Sequence, residues 1–325
     1  KEARKQEKER QKALEQQRKR EGERLAGIPV SGLKAALIFP PQRSELRCLA
    51  ISPTGALAAT GDAEGQITLW DLAKGTINGT LPGHLKGAVV GLEFSRDGRQ
   101  LISAGRDKQV IIWDVNARRQ VSSLEVKDVP TDLEMSGSGR LVAIGSGGKE
   151  SWLWDLRNNR LRIFNNPDDV LAVAISPNSR LLATAGQDKN ISVYDVSTGR
   201  LTRTLRGHDS DVRIMTFTGD GKHLVSAGDD KLLLVWNIQN GTRQQIMRGH
   251  SDNVVHLAAS RDGQRVVSGE NKRSGGLVIL WDTLKGQELR RYRFEKKVDL
   301  LGMTPDARLL VVGSGKELTG YRMDQ

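Results

Sequence analysis

The chain has 325 residues, 37% of them hydrophobic and 4% aromatic, and its 50 basic and 39 acidic side chains leave a net charge of +11. That composition supports a sizeable core, but no apolar run reaches the roughly 18 residues that a membrane helix needs. With Cys48 as the single cysteine, an internal disulfide is excluded; its place in an apolar run suits a small core filler in a reducing, cytoplasmic setting.

Residues 1–25 contain no Pro or β-branched residue, and their first Gly is Gly22. Propensity there is helical, and opposite charges recur at helical spacing in Lys5/Glu9, Glu15/Lys19 and Lys19/Glu23. No a/d stripe runs through the stretch, so the pattern predicts a solvated, charged helix rather than a coiled coil. We assign residues 1–27 to this helix and its linker, and residues 28–325 to a single repeat domain. The chain opens on Lys1 instead of Met, so upstream sequence, with room for an anchor or a further domain, is expected. Residues 33–39 form an apolar strand stopped by Pro40-Pro41.

From there the chain repeats. The clearest copy, residues 207–237, reads GHDSDVRIMTFTGDGKHLVSAGDDKLLLVWN. Short apolar runs alternate with Gly- and Asp-rich turns, and Asn240-Gly241 signals a hairpin into a fourth run. This is a four-stranded antiparallel meander. The aromatic ending the third run recurs as Trp70, Trp113, Trp154, Tyr194, Trp236, Trp281 and Tyr321, in steps of 43, 41, 40, 42, 45 and 40. The Ser or Thr opening the first turn (Ser52, Ser95, Ser136, Ser176, Thr218, Ser260, Thr304) keeps the same beat in steps of 43, 41, 40, 42, 42 and 44. Two independent markers drifting together establish seven repeats. The last repeat holds only three strands, so residues 33–39 are predicted to supply its fourth and close the array, which would remove two exposed sheet edges.

Trp-Asp closes the repeats at Trp70-Asp71, Trp113-Asp114, Trp154-Asp155 and Trp281-Asp282, and Gly-His opens three, at Gly83-His84, Gly207-His208 and Gly249-His250. The chain therefore resembles the WD-repeat β-propeller family over about residues 30–325. The density of short Pro/Asp/Gly turns is similar to that of bacterial members. The resemblance implies an all-β, seven-bladed propeller, preceded here by the charged helix.

Two repeats carry a full set of catalytic-type residues: His84, Ser103, Asp107 and Trp113, and His208, Ser226, Asp230 and Trp236. Blade six keeps His250, Ser268 and Trp281. An active site is needed once, so repetition argues against Ser–His–Asp catalysis. In the family it resembles, such a set is a hydrogen-bonded network inside each blade. The set degrades elsewhere: blade one has Thr60 with Glu64 at the Asp position, blade four has Tyr194 for Trp, and blades three and seven have Gly148 and Gly315 for Asp. Neither metal-ligand spacing nor a phosphate-binding loop occurs, so no metal or cofactor is expected.

The resemblance further implies a non-enzymatic scaffold that binds a protein or peptide on the face shared by the Gly-His loops and Asp turns. The residues expected to ring the channel there are Arg47, Lys86, Arg106, Asp169, Gln187, Asp211, Arg213, Asp229 and Asn253. Lys272 and Arg273 join them from an insertion at residues 270–276 in blade six. Arg47, Arg106 and Arg213 are the first choices, because arginine is enriched at binding hot spots. The positive balance leaves nucleic acid or another anionic surface as the rival partner, although aromatics for base stacking are scarce.

Overall fold

A computed structural model describes residues 33–84, 87–270, 272 and 275–323. The charged segment of residues 1–27, Lys86 and Arg273 lie outside the described residues. The rest folds into seven four-stranded antiparallel sheets arranged as the blades of a propeller. In six blades the strands run in chain order from the channel outwards. The seventh is completed by Ala35–Ile38, which pairs antiparallel with Glu317–Arg322 (Leu37 opposite Gly320, Ile38 opposite Thr319), as the sequence predicts.

Burial explains how a modest apolar content suffices. The two middle strands of each blade are covered on both faces by neighbouring blades and read as near-continuous apolar runs, such as Leu232–Asn237. Outer strands such as Arg119–Glu125 are largely exposed. The core is accordingly divided among seven clusters, each bridging two adjacent blades. The cluster sealing the ring joins Phe39, Leu300, Val311 and Leu318 of blade seven to Leu46, Ala58 and Trp70 of blade one. There Phe39 meets Trp70 edge to face, with centroids 5.3 Å apart.

The repeated first turn has a local cause. In blade two, Ser95 Oγ donates to Asp97 Oδ1 (2.6 Å) and accepts from Gln100 N (2.9 Å). Thr218, Ser260 and Thr304 make the same pair of contacts in their blades. The turn then needs a left-handed residue: Gly98 has φ 70°, and where blades four and seven lack glycine, Ser179 (60°) and Ala307 (56°) adopt the same conformation.

Candidate functional site

The polar sets fold inwards. His84 Nδ1 lies 2.8 Å from Asp107 Oδ1, its Nε2 lies 2.8 Å from Ser103 Oγ, and Trp113 Nε1 donates to the same Oγ at 2.8 Å. His208, Asp230, Ser226 and Trp236 repeat this at 2.7, 2.7 and 2.8 Å. The imidazoles and serines are buried. Burial pushes the His84 and His250 pKa values down, against the pull of their acidic partners. Burial also works to raise Asp230, but the hydrogen bond from His208 wins and holds it below the usual carboxylate range.

Several members of these sets escape sequence reasoning. In blade six the acid is Glu270: its Oε2 lies 3.3 Å from His250 Nδ1 and accepts from Ser251 N (2.7 Å) and Asp252 N (3.2 Å). Burial opposes its ionisation, but His250 and the two amides prevail and hold it at about 2. Blade four replaces the histidine with Asn166, whose Oδ1 accepts from Thr184 Oγ1 (2.6 Å) and whose side chain also meets Tyr194 Oη (3.4 Å). Its spacing of 18 residues before Thr184 matches His208 to Ser226 and was the available signal. In blade one the exposed Glu64 does not serve as the acid. Asp62 takes the turn amides of Glu64 (3.0 Å) and Gln66 (2.9 Å) instead. In blade three, where Ile144 stands at the strand hydroxyl position, the Trp154 indole turns to Asn159 Oδ1 (2.8 Å).

On the face of the Gly-His loops the channel opens into a cavity of about 310 Å³. Its mouth is built by one residue per blade, each five places before the first-turn Ser or Thr. A bulge produces this position in six blades. Leu46 pairs with Asp62 and Cys48 with Gly61, so Arg47 is the extra residue and is re-aimed towards the channel. Arg213 arises identically between Val212 and Ile214. The unforeseen members are Val90, Thr131, Leu171, Val255 and the unbulged Asp299.

Of the residues expected to ring this mouth, Arg47 and Arg213 line it. Arg213 grips Asp229 through Nε (3.0 Å) and Nη2 (2.6 Å) and reaches Asp211 at 3.4 Å. Arg47 pairs with Glu45 at 2.9 Å. Arg106, Gln187 and Asp229 stand farther out, in turns whose amides bond the carbonyls of Ala88, Asp169 and Asp211. Asn253 follows Asp252, whose Oδ1 accepts its amide at 2.8 Å. Lys272 folds back onto Ser251 Oγ (2.6 Å) and Glu270 (3.4 Å).

Deeper in the channel, carboxylates latch one blade to the next by accepting amides that would otherwise be open at the inner strand edge. Glu93 takes Met135 N (3.0 Å), Asp132 takes Val173 N (2.9 Å) and Glu134 takes Ile175 N (3.1 Å). Burial drives Asp132 up to about 7 and Glu134 to about 8, with Asp132 adding to the second, and Glu93 also rises well above its usual range. Because their folded pKa values are raised, these carboxyls contribute stability at low pH that is lost as pH rises to about 8. Below about pH 6.5 the depressed histidines, including His256 at about 4, work the other way. Glu134→Gln, which cannot ionise, should therefore match wild type at about pH 3.5, below the unfolded glutamate pKa, in urea denaturation. At pH 8.5 it should exceed it by about 1 kcal/mol, a figure reduced for channel water; equal stabilities at pH 8.5 would contradict the burial account.

Among the described residues, no group of three or more His, Cys, Asp and Glu side chains could hold a metal, and no helix is long and apolar enough to cross a membrane. Burial lifts the Cys48 thiol to about 12, so it carries no thiolate at neutral pH. A concavity of about 1140 Å³ forms a cleft between blades three and four edged by Arg140, Arg160, Arg162 and Arg180.

The chain is 33% identical over 174 residues to a WD repeat-containing protein, SL1-17, of Schistosoma mansoni, covering 53% of this chain and 57% of that one. It is 29% identical over 155 residues to transcription initiation factor TFIID subunit 5 of Caenorhabditis elegans, covering 47% and 24%. Apoptotic protease-activating factor 1 of Rattus norvegicus matches at 25% over 191 residues, covering 58% and 15%. The matched part thus spans between 15% and 57% of these relatives' lengths. The model of the WD domain, G-beta repeat, matches residues 36–71, 75–114, 158–195, 199–237 and 241–282, more than half of the chain. With the seven blades and the hydrogen-bonded His–Ser–Trp sets already in view, the chain belongs to the WD40 repeat family.

Proposed function

We propose that this propeller is a non-enzymatic interaction platform that holds a protein or peptide partner at the channel mouth on the Gly-His face. The observation that carries the reading is the mouth itself: a rigid backbone bulge in six blades aims one side chain apiece at a common opening, two of them arginines. Arginine on a preorganised backbone suits a hot spot, because little freedom is lost on binding. Absence of chemistry is supported by the closure of each complete His–Ser–acid set. Every such serine hydroxyl is buried between an imidazole and an indole and offers no approach to a substrate. Related chains include a named subunit of a transcription initiation factor, which fits a role within an assembly. A cytoplasmic or nuclear setting agrees with that role.

The test is capture of partners from extract by the immobilised protein. Replacing Arg47, Arg106 and Arg213 together by Glu should reduce recovery of the specific partner about tenfold or more, with a cooperative melting transition retained. Undiminished recovery would move the binding surface elsewhere.

Nucleic acid has less support. In the cleft between blades three and four, Arg140 is bonded to Asp155 and Arg162 to the carbonyls of Val196 and Ser197, which leaves Arg160 and Arg180. A gel shift that weakens steeply with salt and is lost in an Arg160→Ala/Arg180→Ala variant would favour this second reading.

A further inference from the structure

The opposite mouth of the channel has different chemistry. It is framed by the residue that follows the first-turn Ser or Thr in every blade: three prolines (Pro53, Pro177, Pro305), two glycines (Gly137, Gly219) and two arginines (Arg96, Arg261). The glycines let neighbouring turns nest. A Cβ at Gly137 would stand 2.5 Å from the Pro177 carbonyl oxygen, and one at Gly219 would stand 2.1 Å from that of Arg261. Beneath the rim lies a pocket of about 280 Å³ lined by the largely buried Met135, Ile175 and Phe217 and by Ala259, with Glu134 and Thr216 between them.

Charge on this rim is uneven. Arg96 and Arg261 are exposed, and neither side chain has a hydrogen-bond or ion-pair partner among the described residues. They belong to blades two and six, three blades apart around a ring of seven, and so face each other across the opening. The carboxylates nearest to them in sequence do not compete. Asp97 and Asp262 accept from the Ser hydroxyls and amides of their own turns, as Asp220 and Asp306 do in theirs. Glu134, the carboxyl lining the pocket, accepts Ile175 N, and burial favours its neutral form.

We propose that this second mouth docks an acidic peptide segment of a protein partner, with one apolar side chain on the Met135–Phe217 floor and flanking carboxylates on Arg96 and Arg261. Apolar floor and free arginines together select this chemistry. An arginine alone would take any anion, whereas a pocket whose Ser260 and Thr216 hydroxyls are already given to Asp262 and the Phe217 carbonyl gives a central apolar side chain its advantage. The site lies on the face opposite the proposed Gly-His-side surface and does not depend on it.

The probe is a set of fluorescein-labelled pentapeptides with two glutamates on each side of a varied central residue, followed by anisotropy with the whole chain. Leucine, methionine or phenylalanine at the centre should bind about fivefold or more tightly than serine, and lysine-flanked controls should not bind. Arg96→Ala and Arg261→Ala, both at exposed positions, should each weaken binding about fivefold, and Arg213→Ala at the other mouth should leave it unchanged. The proposal is overturned if no glutamate peptide binds, if the central residue makes no difference, or if the two arginine variants bind like wild type. Equal competition by a single-stranded oligonucleotide would also overturn it, in favour of a phosphate ligand. Loss in Arg213→Ala alone would place the peptide at the Gly-His mouth and refute this site while sparing the other.

Discussion

Removal of residues 1–39 should lower the melting temperature by roughly 10–20 °C, because it takes the closing strand from blade seven. Ala35–Ile38 is the outer partner of Glu317–Arg322, and Phe39 N bonds the carbonyl of Leu318 at 3.2 Å. Phe39 is 3% exposed and packs on Trp70 at the joint where the last blade meets the first. Losing such a phenylalanine costs about 3–5 kcal/mol, and each strand hydrogen bond adds about 1 kcal/mol. For a domain of this size each kcal/mol moves the midpoint by about 2–4 °C. Phe39→Ala should reproduce about half the loss with the strand still present. Glu317–Arg322 would also be left with an open edge, so the truncated chain should self-associate. A truncated chain that melts with the full-length protein would mean that the ring is held by the blade clusters alone.

Glu270→Ala should destabilise the fold by about 3–5 kcal/mol, because it strips a buried network of the carboxylate that its imidazole and amides bond. Oε1 and Oε2 between them serve His250, the amides of Ser251 and Asp252, Ser251 Oγ and Lys272, and Glu270 is 1% exposed. The folded pKa of about 2 lies below the ordinary value. The carboxylate's contribution is therefore complete above about pH 5 and drains away as pH falls towards 2. Chemical denaturation of wild type and variant at pH 7 and pH 3 should show the gap narrowing at the lower pH. Glu64→Ala in blade one, at an exposed side chain, should cost less than about 0.5 kcal/mol. Equal effects of the two substitutions would dissolve the distinction between the blades.

The ring was legible because each of its sequence markers is tied to a repeated contact. A tryptophan at the end of the third strand recurs where its indole reaches a strand hydroxyl ten places earlier, as Trp70 reaches Thr60 and Trp236 reaches Ser226. The first-turn Ser or Thr recurs because its hydroxyl holds the turn amide five places on. What stayed hidden involved exchanges between side chains of different reach. Glu270 stands at the end of its strand, ahead of the inserted loop, where the longer glutamate arm covers the distance an aspartate covers from the turn. At Asn166 an amide takes the histidine's place, so a search for Gly-His passes over it. The mouth residues were only partly legible: Arg47 and Arg213 are conspicuous as charges, but Val90 and Leu171 become visible only through the bulge. That bulge is a property of strand pairing, not of apolar alternation.

The claim that the channel mouth is the working surface is tested most directly by site-specific photo-crosslinking in cells of the source organism. A benzophenone side chain is placed at Val90 in the mouth or, as reference, at Leu289 on the exposed outer strand of blade six, and adducts are read by mass spectrometry. The account predicts a discrete protein adduct from Val90 that disappears when Arg213 is changed to Glu, and only background from Leu289. A discrete adduct from Leu289 with none from Val90 would contradict it.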